Sequence, residues 1–348
     1  MIWFKRALAI VLLGVALYLF WPVAQELLRP EALKAFSHAA WAWLAAAVLI
    51  QAASYTCLAG LNYLLLRPFA GKITLGRLLL TLPAIAFIEV AIPSAGASGV
   101  VLRARLLGRH GYSAEAATFT FVLESLYLSL ALALASFSGL GFLIRTGHLS
   151  RARLWTMGLA SLALVAMGIV IYLVGRNREQ ACAVAVRLGE LWNRLAVKLH
   201  VRVYEPAQVF ARVDGFYGSL SRLERTPRWP FLLTALGRIA LDVATLGACF
   251  LAFRHTLSAG IVLTGYGITL LLSGLAALPG GLGLADISLA GLYAQLGLRA
   301  GVLNAAAAAL AYRLIAFWLL RLVGFVTWQV LEARPNSGAE AGAAINLK

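Results

Sequence analysis

The sequence predicts an all-α polytopic membrane protein, and three observations predict it. Of the 348 residues, 61% are hydrophobic and only 13% are charged, about half the charged fraction of an ordinary soluble domain. Several apolar runs exceed the roughly 20 residues that a helix needs to cross a bilayer. Two runs are interrupted by proline and glycine, at IPSAGASG (Ile92–Gly99) and LPGGLG (Leu278–Gly283). We expect about six full spans plus two re-entrant helical hairpins in an inverted repeat.

Eight apolar segments define the predicted elements. The full spans are Ala7–Ala24, Ala40–Leu66, Ala114–Ile144, Leu154–Gly175, Pro230–Phe253 and Ala300–Leu320. The two broken segments are Leu78–Leu102 and Thr256–Leu298. The second of these is the longest and contains a single charge, Asp286. A plain spanning helix would contain neither a Pro-Gly-Gly break nor a lone carboxylate.

The distribution of Lys and Arg orients these segments, because cytoplasmic loops carry the excess of positive charge. Arg176–Arg228 holds ten Lys and Arg against five acidic residues, so we expect it in the cytoplasm. Counting spans from this loop places both flanks of Leu78–Leu102 inside and both flanks of Thr256–Leu298 outside. We therefore expect hairpins that enter from opposite faces of a bacterial inner (plasma) membrane, in a multi-pass protein with both termini in the cytoplasm.

The formal net charge of +16 has the same explanation. Basic loops that face anionic headgroups account for it, so nucleic acid is not an expected partner. The three cysteines, Cys57, Cys182 and Cys249, form no CxxC pair. Neither a disulfide framework nor a zinc site follows from them, and we expect no cofactor and no metal.

The two breaks also align as a repeat. One constant offset along the chain, which we call the repeat offset, pairs Pro93 with Pro279 and Gly111 with Gly297. Inverted repeats with helices broken near the midplane are typical of transporters. We expect one transmembrane domain over residues 1–334, with a first half (1–175), an amphipathic cytoplasmic linker (176–229) and a second half (230–334). Residues 335–348 are expected to form a disordered tail.

The breaks supply the first candidate residues for substrate binding and translocation. Proline and glycine free backbone groups that a bilayer cannot satisfy, and half-helix N-termini attract an anionic headgroup. The alternative is a tight packing turn, and Asp286 also fits a helix cap. The candidates in the first half are Pro93, Ser94, Gly96, Ser98 and Gly99, and those in the second are Pro279, Gly280, Gly281, Gly283 and Asp286.

Charged residues within or beside the apolar segments supply the second group. A charge at the bilayer centre costs about 2.5–3.5 kcal/mol on insertion scales, so it faces the interior and finds a partner. We expect Glu124 to pair with Arg313. Arg238 and Asp242, four residues apart, can neutralise one another. Two interpretations stay open for these charged residues: they act on the substrate, or they form ion pairs that only hold the bundle together. The group also contains Glu89, before the first break, and Arg103 and Arg105, which we expect at the cytoplasmic surface as phosphate ligands or anchors.

Four stretches resemble a known family: IPSAGASGVVLRARLL (Ile92–Leu107), VLESLYL (Val122–Leu128), LPGGLGLADISL (Leu278–Leu289) and AYRLIAFWL (Ala311–Leu319). They are similar to the flippase-like transmembrane domain of lysylphosphatidylglycerol synthases, over roughly residues 5–330. The resemblance implies a module that translocates a phospholipid or another amphiphile, and its Tyr-Arg motif adds Tyr312 to the candidates. The full synthases add a soluble domain that transfers lysine from tRNA. We expect a free-standing member without that domain, since nothing after Arg334 resembles it.

The expected function is therefore movement of a lipid between leaflets. Catalysis is not expected, because the sequence holds no HExxH, GxSxG or P-loop motif. Two alternatives stay open: a membrane-embedded lipid transferase that uses Glu124, Asp242 or Asp286, and a scaffold whose basic loop recruits a soluble lipid-modifying enzyme. The expected partners are membrane lipids, anionic or lipid-linked, together with a second copy of the chain or a soluble lipid-synthesis enzyme.

Overall fold

The computed structural model describes residues 28–92, 97–146, 217–223, 226–275 and 302–333, together with isolated positions (21, 25, 179, 182, 183, 186, 187, 190 and 215). In these ranges the regular structure is entirely helical. The helices are α1 (Pro30–Ser37), α2 (Trp41–Leu66), α3 (Leu75–Ala91), α4 (Ala97–Gly108), α5 (Ala114–Thr146), α6 (Trp229–Ala252), α7 (Ala259–Leu275), α8 (Val302–Arg313) and α9 (Leu320–Ala333). A π-helical turn, Leu314–Leu319, joins α8 to α9. Residues 217–223 are also helical.

Among the described residues, four stretches are long and apolar enough to cross a membrane: Trp41–Leu66, Ala114–Gly139, Trp229–Ala252 and Ala306–Glu332. They overlap four of the six predicted spans, so a multi-pass α-helical membrane protein is confirmed. The predicted spans Ala7–Ala24 and Leu154–Gly175 lie outside the described residues.

Local chemistry explains where several helices begin and end. Thr74 caps α3 by accepting a hydrogen bond from the Arg77 backbone N–H at 3.4 Å, and Ser113 caps α5 through the N–H of Ala116 at 3.2 Å. Short polar side chains are the usual partners of the free N–H groups at helix starts. After α4, Gly111 takes the left-handed conformation, with φ of +83°. Glycine adopts it without steric cost, which lets the chain reverse toward α5.

The first predicted break is present. The segment Leu78–Leu102 is divided into α3 and α4, which pack against each other. Ile92 is extended (φ −120°, ψ 96°) after the last turn of α3, as expected for a residue that precedes proline. The second break, Leu278–Gly283, lies outside the described residues. Only the first part of its segment is described, as α7.

The last predicted span, Ala300–Leu320, is longer than expected. Its helical run continues through the π-helical turn and α9 to Ala333. The predicted segment ends at Leu320, before the charge of Arg321, yet the residues after that charge, Leu322, Val323 and Val326, continue the apolar pattern. Arg321 therefore lies within the apolar run and not after it.

The helices recur at the repeat offset. This offset carries α2 onto 227–252, α3 onto 261–277 and α5 onto 300–332. The first range matches α6 within two residues at both ends, the second begins two residues after the start of α7, and the third overlaps the run from α8 to α9. The packing repeats as well: α2 packs against its counterpart α6, α3 packs against α9, and α7 packs against α5. Such a reciprocal exchange is the pattern that an approximate two-fold relation between the halves produces.

Glycines allow the two exchanged pairs to cross closely. A Cβ added at Gly324 of α9 would overlap the backbone carbonyl of Pro83 in α3. A Cβ at Gly139 of α5 would lie 2.9 Å from the backbone nitrogen of Thr264 in α7. Small residues at helix interfaces let backbones approach in membranes, where packing contributes much of the association energy. The core of the bundle lies between α2, α5 and α6, with Leu61, Phe119 and Phe231 fully buried.

Candidate functional site

The structure describes ten of the predicted site residues and brings most of them into the bundle interior. Pro93, Ser94, Gly96, Pro279, Gly280, Gly281, Gly283 and Asp286 lie outside the described residues, so their predicted roles stay predictions. The described candidates are Glu89, Ser98, Gly99, Arg103, Arg105, Glu124, Arg238, Asp242, Tyr312 and Arg313.

Glu89 and Gly99 meet across the first break. Gly99 is buried in the first turns of α4, and a Cβ there would overlap the Glu89 side chain. A carboxylate near a helix N-terminus is stabilised by the positive end of the helix dipole. Ser98 donates a hydrogen bond to the Ile92 carbonyl at 3.2 Å, which links the end of α3 to the start of α4. The break therefore has a carboxylate at its edge.

Arg103 is buried, which corrects its expected place at the cytoplasmic surface. The residue is only 3% exposed. Its guanidinium lies 2.6 Å from the Glu124 carboxylate, donates to the side-chain oxygen of Asn62 and stands 5.5 Å from the centroid of the Phe121 ring. The reason is that α4 folds back onto α3 and α5, so its middle turn faces the bundle.

Glu124 therefore forms its ion pair with Arg103 and not with Arg313. The sequence could not give this partner, because the direction of α4 after the break depends on tertiary packing. Asn62 was a usable signal, since a lone asparagine in the span Ala40–Leu66 needs an interior partner. Its side chain also donates to the Leu58 carbonyl at 3.0 Å.

Arg105 lies near the surface of the bundle, with 58% of its side chain exposed. It forms an ion pair with Glu332 at 3.2 Å. Arg109 donates to the Leu331 carbonyl at 2.8 Å and lies 3.9 Å from Glu332. The end of α4 and the end of α9 are thus held together, at the same end of the bundle.

Arg238 and Asp242 form the ion pair that their spacing predicts. Asp242 is buried and also accepts hydrogen bonds from Ser54 at 3.1 Å and from Tyr266 at 2.8 Å. Arg238 stands 5.2 Å from the centroid of the Tyr55 ring. The pair joins α6 to α2 and α7. Sequence reasoning missed these three partners, although each is a polar group within an apolar run.

Tyr312 and Arg313 lie at the end of α8. Tyr312 is buried, and its ring packs edge-on against Tyr266 with centroids 6.5 Å apart. The Arg313 guanidinium stands 4.5 Å from the centroid of Phe317. Arg321 stands 3.9 Å from the same centroid, and neither Phe317 nor Arg321 was among the predicted site residues. The sequence signal that could have identified them is the apolar pattern that continues beyond Arg321, because it places Arg321 within the helical run.

The described residues contain no group of three or more His, Cys, Asp or Glu side chains that could hold a metal ion. What the interior does contain is a set of arginines and carboxylates on α3, α4, α5, α6 and α9. This arrangement can bind and orient a charged group inside an otherwise apolar bundle.

The comparison with protein families decides the relationship. A family model described as the transmembrane region of lysylphosphatidylglycerol synthase matches residues 6–324. The chain belongs to this family. The matched range contains all four stretches from which the resemblance was inferred, and it confirms that resemblance. No curated protein matches the sequence. Membership of this family of transmembrane regions is consistent with a lipid-related role in a membrane.

Proposed function

We propose that the chain moves a phospholipid or another lipid-linked amphiphile between the leaflets of a bacterial inner membrane. The observation that carries the proposal is the break between α3 and α4, which lies among buried charges. Glu89 rests against Gly99 at the break, and Arg103 follows one turn later in the interior. A polar region inside a bundle of spanning helices is what a headgroup needs in order to cross the hydrocarbon core.

The architecture that we propose for this path is an inverted repeat with two re-entrant hairpins. In known transporters of this kind, substrate sites lie where broken helices from the two halves meet. The recurrence of helix bounds and packing at the repeat offset supports it. So does the exchange of partners, since α3 packs on the second half and α7 on the first. A site between such halves can open alternately to either leaflet.

Among the described carboxylates, the geometry favours transport over the transferase alternative, whose third candidate, Asp286, lies outside the described residues. A general base needs a carboxylate that is free to take a proton from its substrate. Glu124 instead contacts Arg103, and Asp242 is held by Arg238, Ser54 and Tyr266. A carboxylate whose oxygens are held in this way is not free for that role. The scaffold alternative would not require a buried break at all.

The test is leaflet exchange in liposomes that contain the purified full-length protein. Fluorescent lipids with different headgroups are reconstituted, and the fraction accessible to an impermeant quencher is followed with time. We expect exchange of at least one lipid well above the rate in protein-free liposomes. No exchange for any headgroup would contradict the proposal, and a chemically altered lipid would indicate a transferase.

Matched proline variants connect the activity to the break. Pro93→Ala combined with Gly96→Ala removes the signals that interrupt the helix, and should lower exchange per folded molecule. Pro83→Ala also removes a proline, but from within α3, and should preserve exchange. Equal rates for the two variants would remove the break from the mechanism.

A further inference from the structure

The π-helical turn Leu314–Leu319 brings two arginines to one aromatic ring. Arg313 precedes the turn and Arg321 follows it, with Phe317 between them at a spacing of four residues on each side. Residues four apart lie on the same face of a helix. Insertions of π-helix are uncommon and are frequently found at functional sites. We call these three residues the Arg–Phe–Arg stack.

The two guanidinium groups of the stack both approach the Phe317 ring. Their central carbons lie 4.5 and 3.9 Å from the Phe317 centroid, so both cations contact the same ring. The ring attracts each cation but neutralises neither. The charge of Arg321 in an apolar interior therefore favours an anion nearby.

Arg321 differs from the other buried arginines in how its charge is compensated. Arg103 and Arg238 each contact a carboxylate. Arg321 has no ion pair within the described part of the chain. Its hydrogen bond there goes to the Phe317 carbonyl at 3.3 Å, and its buried Nε has no hydrogen-bond partner. A guanidinium has five N–H donors, so most of its capacity is unused.

The surroundings place the stack beside the first break. Val90, in the last turn of α3, packs in one buried cluster with Phe317 and Trp318. Tyr55, Glu89, Arg238 and Arg313 act electrostatically on Arg321. Glu89 contacts Gly99 and does not form an ion pair with Arg321, so this carboxylate leaves the guanidinium open.

The stack is also accessible from the lipid side. Arg321 is partly exposed, and its neighbour Leu322 is 61% exposed on the outer surface of α9. Large apolar side chains exposed on a spanning helix face lipid chains. An amphiphile can therefore place its chains against α9 while its headgroup reaches the stack.

We propose that Arg321, stacked on Phe317, binds the phosphate of a lipid headgroup beside the C-terminal end of α3. The planar guanidinium fork matches two phosphate oxygens, and it is more weakly hydrated than an ammonium group. The inference rests on the proposed function, since it names the part of the lipid that the path recognises. Arg321 is the principal ligand, because it forms no ion pair with a carboxylate in the described ranges and donates one side-chain hydrogen bond there, to the Phe317 carbonyl.

Equilibrium binding tests this assignment separately from transport. The full-length protein in a phosphate-free maltoside detergent is titrated against a fluorescent short-chain phosphatidylglycerol, with fluorescence anisotropy as the readout. The same fluorophore on diacylglycerol reports binding without phosphate, and inorganic phosphate is added as a competitor. Arg77→Gln is the charge-matched control, because Arg77 is exposed at the start of α3.

We expect Arg321→Gln to weaken phosphatidylglycerol binding roughly tenfold or more, the loss typical of a charge-assisted hydrogen bond, and Arg77→Gln to change it little. Glu89→Gln should strengthen binding, since it removes a nearby negative charge. If Arg321→Gln does not fold, Arg321→Lys decides, because it keeps the charge and loses the fork; it should weaken binding severalfold.

The assignment is overturned if Arg321→Gln, or failing it Arg321→Lys, binds as the Arg77 variant does. It is also overturned if diacylglycerol binds as tightly as phosphatidylglycerol, or if inorganic phosphate displaces the lipid at equal concentration. The proposed function can fail on its own. In that case Arg321 would bind lipid as predicted while the reconstituted protein shows no leaflet exchange.

Discussion

At the residue scale, the interior arginines differ in the groups that neutralise their charge. Arg103 contacts Glu124 and Asn62, and Arg238 contacts Asp242. Arg321 stacks on Phe317 without a carboxylate in the described ranges. A charge in an apolar interior is tolerated when a partner repays its lost hydration. The first two arginines therefore have structural compensation, and the third retains capacity for a ligand.

The ion pair between Arg103 and Glu124 gives the prediction at this scale. Glu124→Gln leaves a buried cation without its counter-ion, and should destabilise the protein by about 3 kcal/mol. Adding Arg103→Gln should recover part of that loss, with a coupling of about 0.5–3 kcal/mol. Thermal unfolding of the purified single and double variants measures it.

Arg313 supplies the control for this cycle. Arg313→Gln combined with Glu124→Gln should give additive losses, because Glu124 pairs with Arg103 instead. Strict additivity for the Arg103 and Glu124 pair, or coupling between Glu124 and Arg313, would show that the ion pair is wrongly assigned.

At the element scale, the features that matter most are the close crossings of α3 with α9 and of α5 with α7. Gly324→Ala places a methyl group against the Pro83 backbone carbonyl, which cannot move without bending α3. Overpacking of this kind costs about 1–3 kcal/mol. Gly247→Ala in α6 meets nothing within 4 Å, and should be neutral or stabilising because alanine favours the helix. Melting temperatures of the two variants test this, and equal shifts would mean that α3 and α9 do not cross at Gly324.

Helices were more predictable than their partners. The predicted Ala40–Leu66 and Pro230–Phe253 differ from α2 and α6 by one residue at each changed end, because apolar runs stop where charge begins. The break after Ile92 was also predictable, since proline disfavours the helical conformation in the residue before it and the glycines that follow weaken the helix further. Each of these signals is local in the chain.

The partners could not be predicted because they depend on how α4 turns and how α9 continues. The sequence alone indicates that Arg103 is a surface charge, whereas in the structure α4 folds back and buries it against Asn62 and Glu124. The sequence alone likewise indicates that a span ends before Arg321, whereas in the structure Arg321 follows the π-helical turn and stacks on Phe317. Side-chain pairing across distant segments is tertiary information, and a single sequence carries it only weakly.

Comparison of the halves at the scale of the whole molecule shows a repeated scaffold with different charges. The repeat offset relates α2 to α6 and α5 to the run from α8 to α9. It does not relate the charged residues: Arg313 and Arg321 correspond to Tyr127 and Ala135, and Asp242 corresponds to Thr56. These polar residues therefore differ between the halves, and the translocation path that we propose is chemically asymmetric.

Opposite orientation of the two halves is the central claim, because it makes the breaks enter from opposite faces of the membrane. Single cysteines at positions 77, 109, 256 and 299, in a background with Cys57, Cys182 and Cys249 replaced by alanine, can be labelled in intact cells with an impermeant maleimide. We predict that positions 77 and 109 are protected on the cytoplasmic side, while positions 256 and 299 react from outside. Labelling of positions 77 and 109 from opposite sides would make Leu78–Leu102 a full span, and would contradict the inverted repeat.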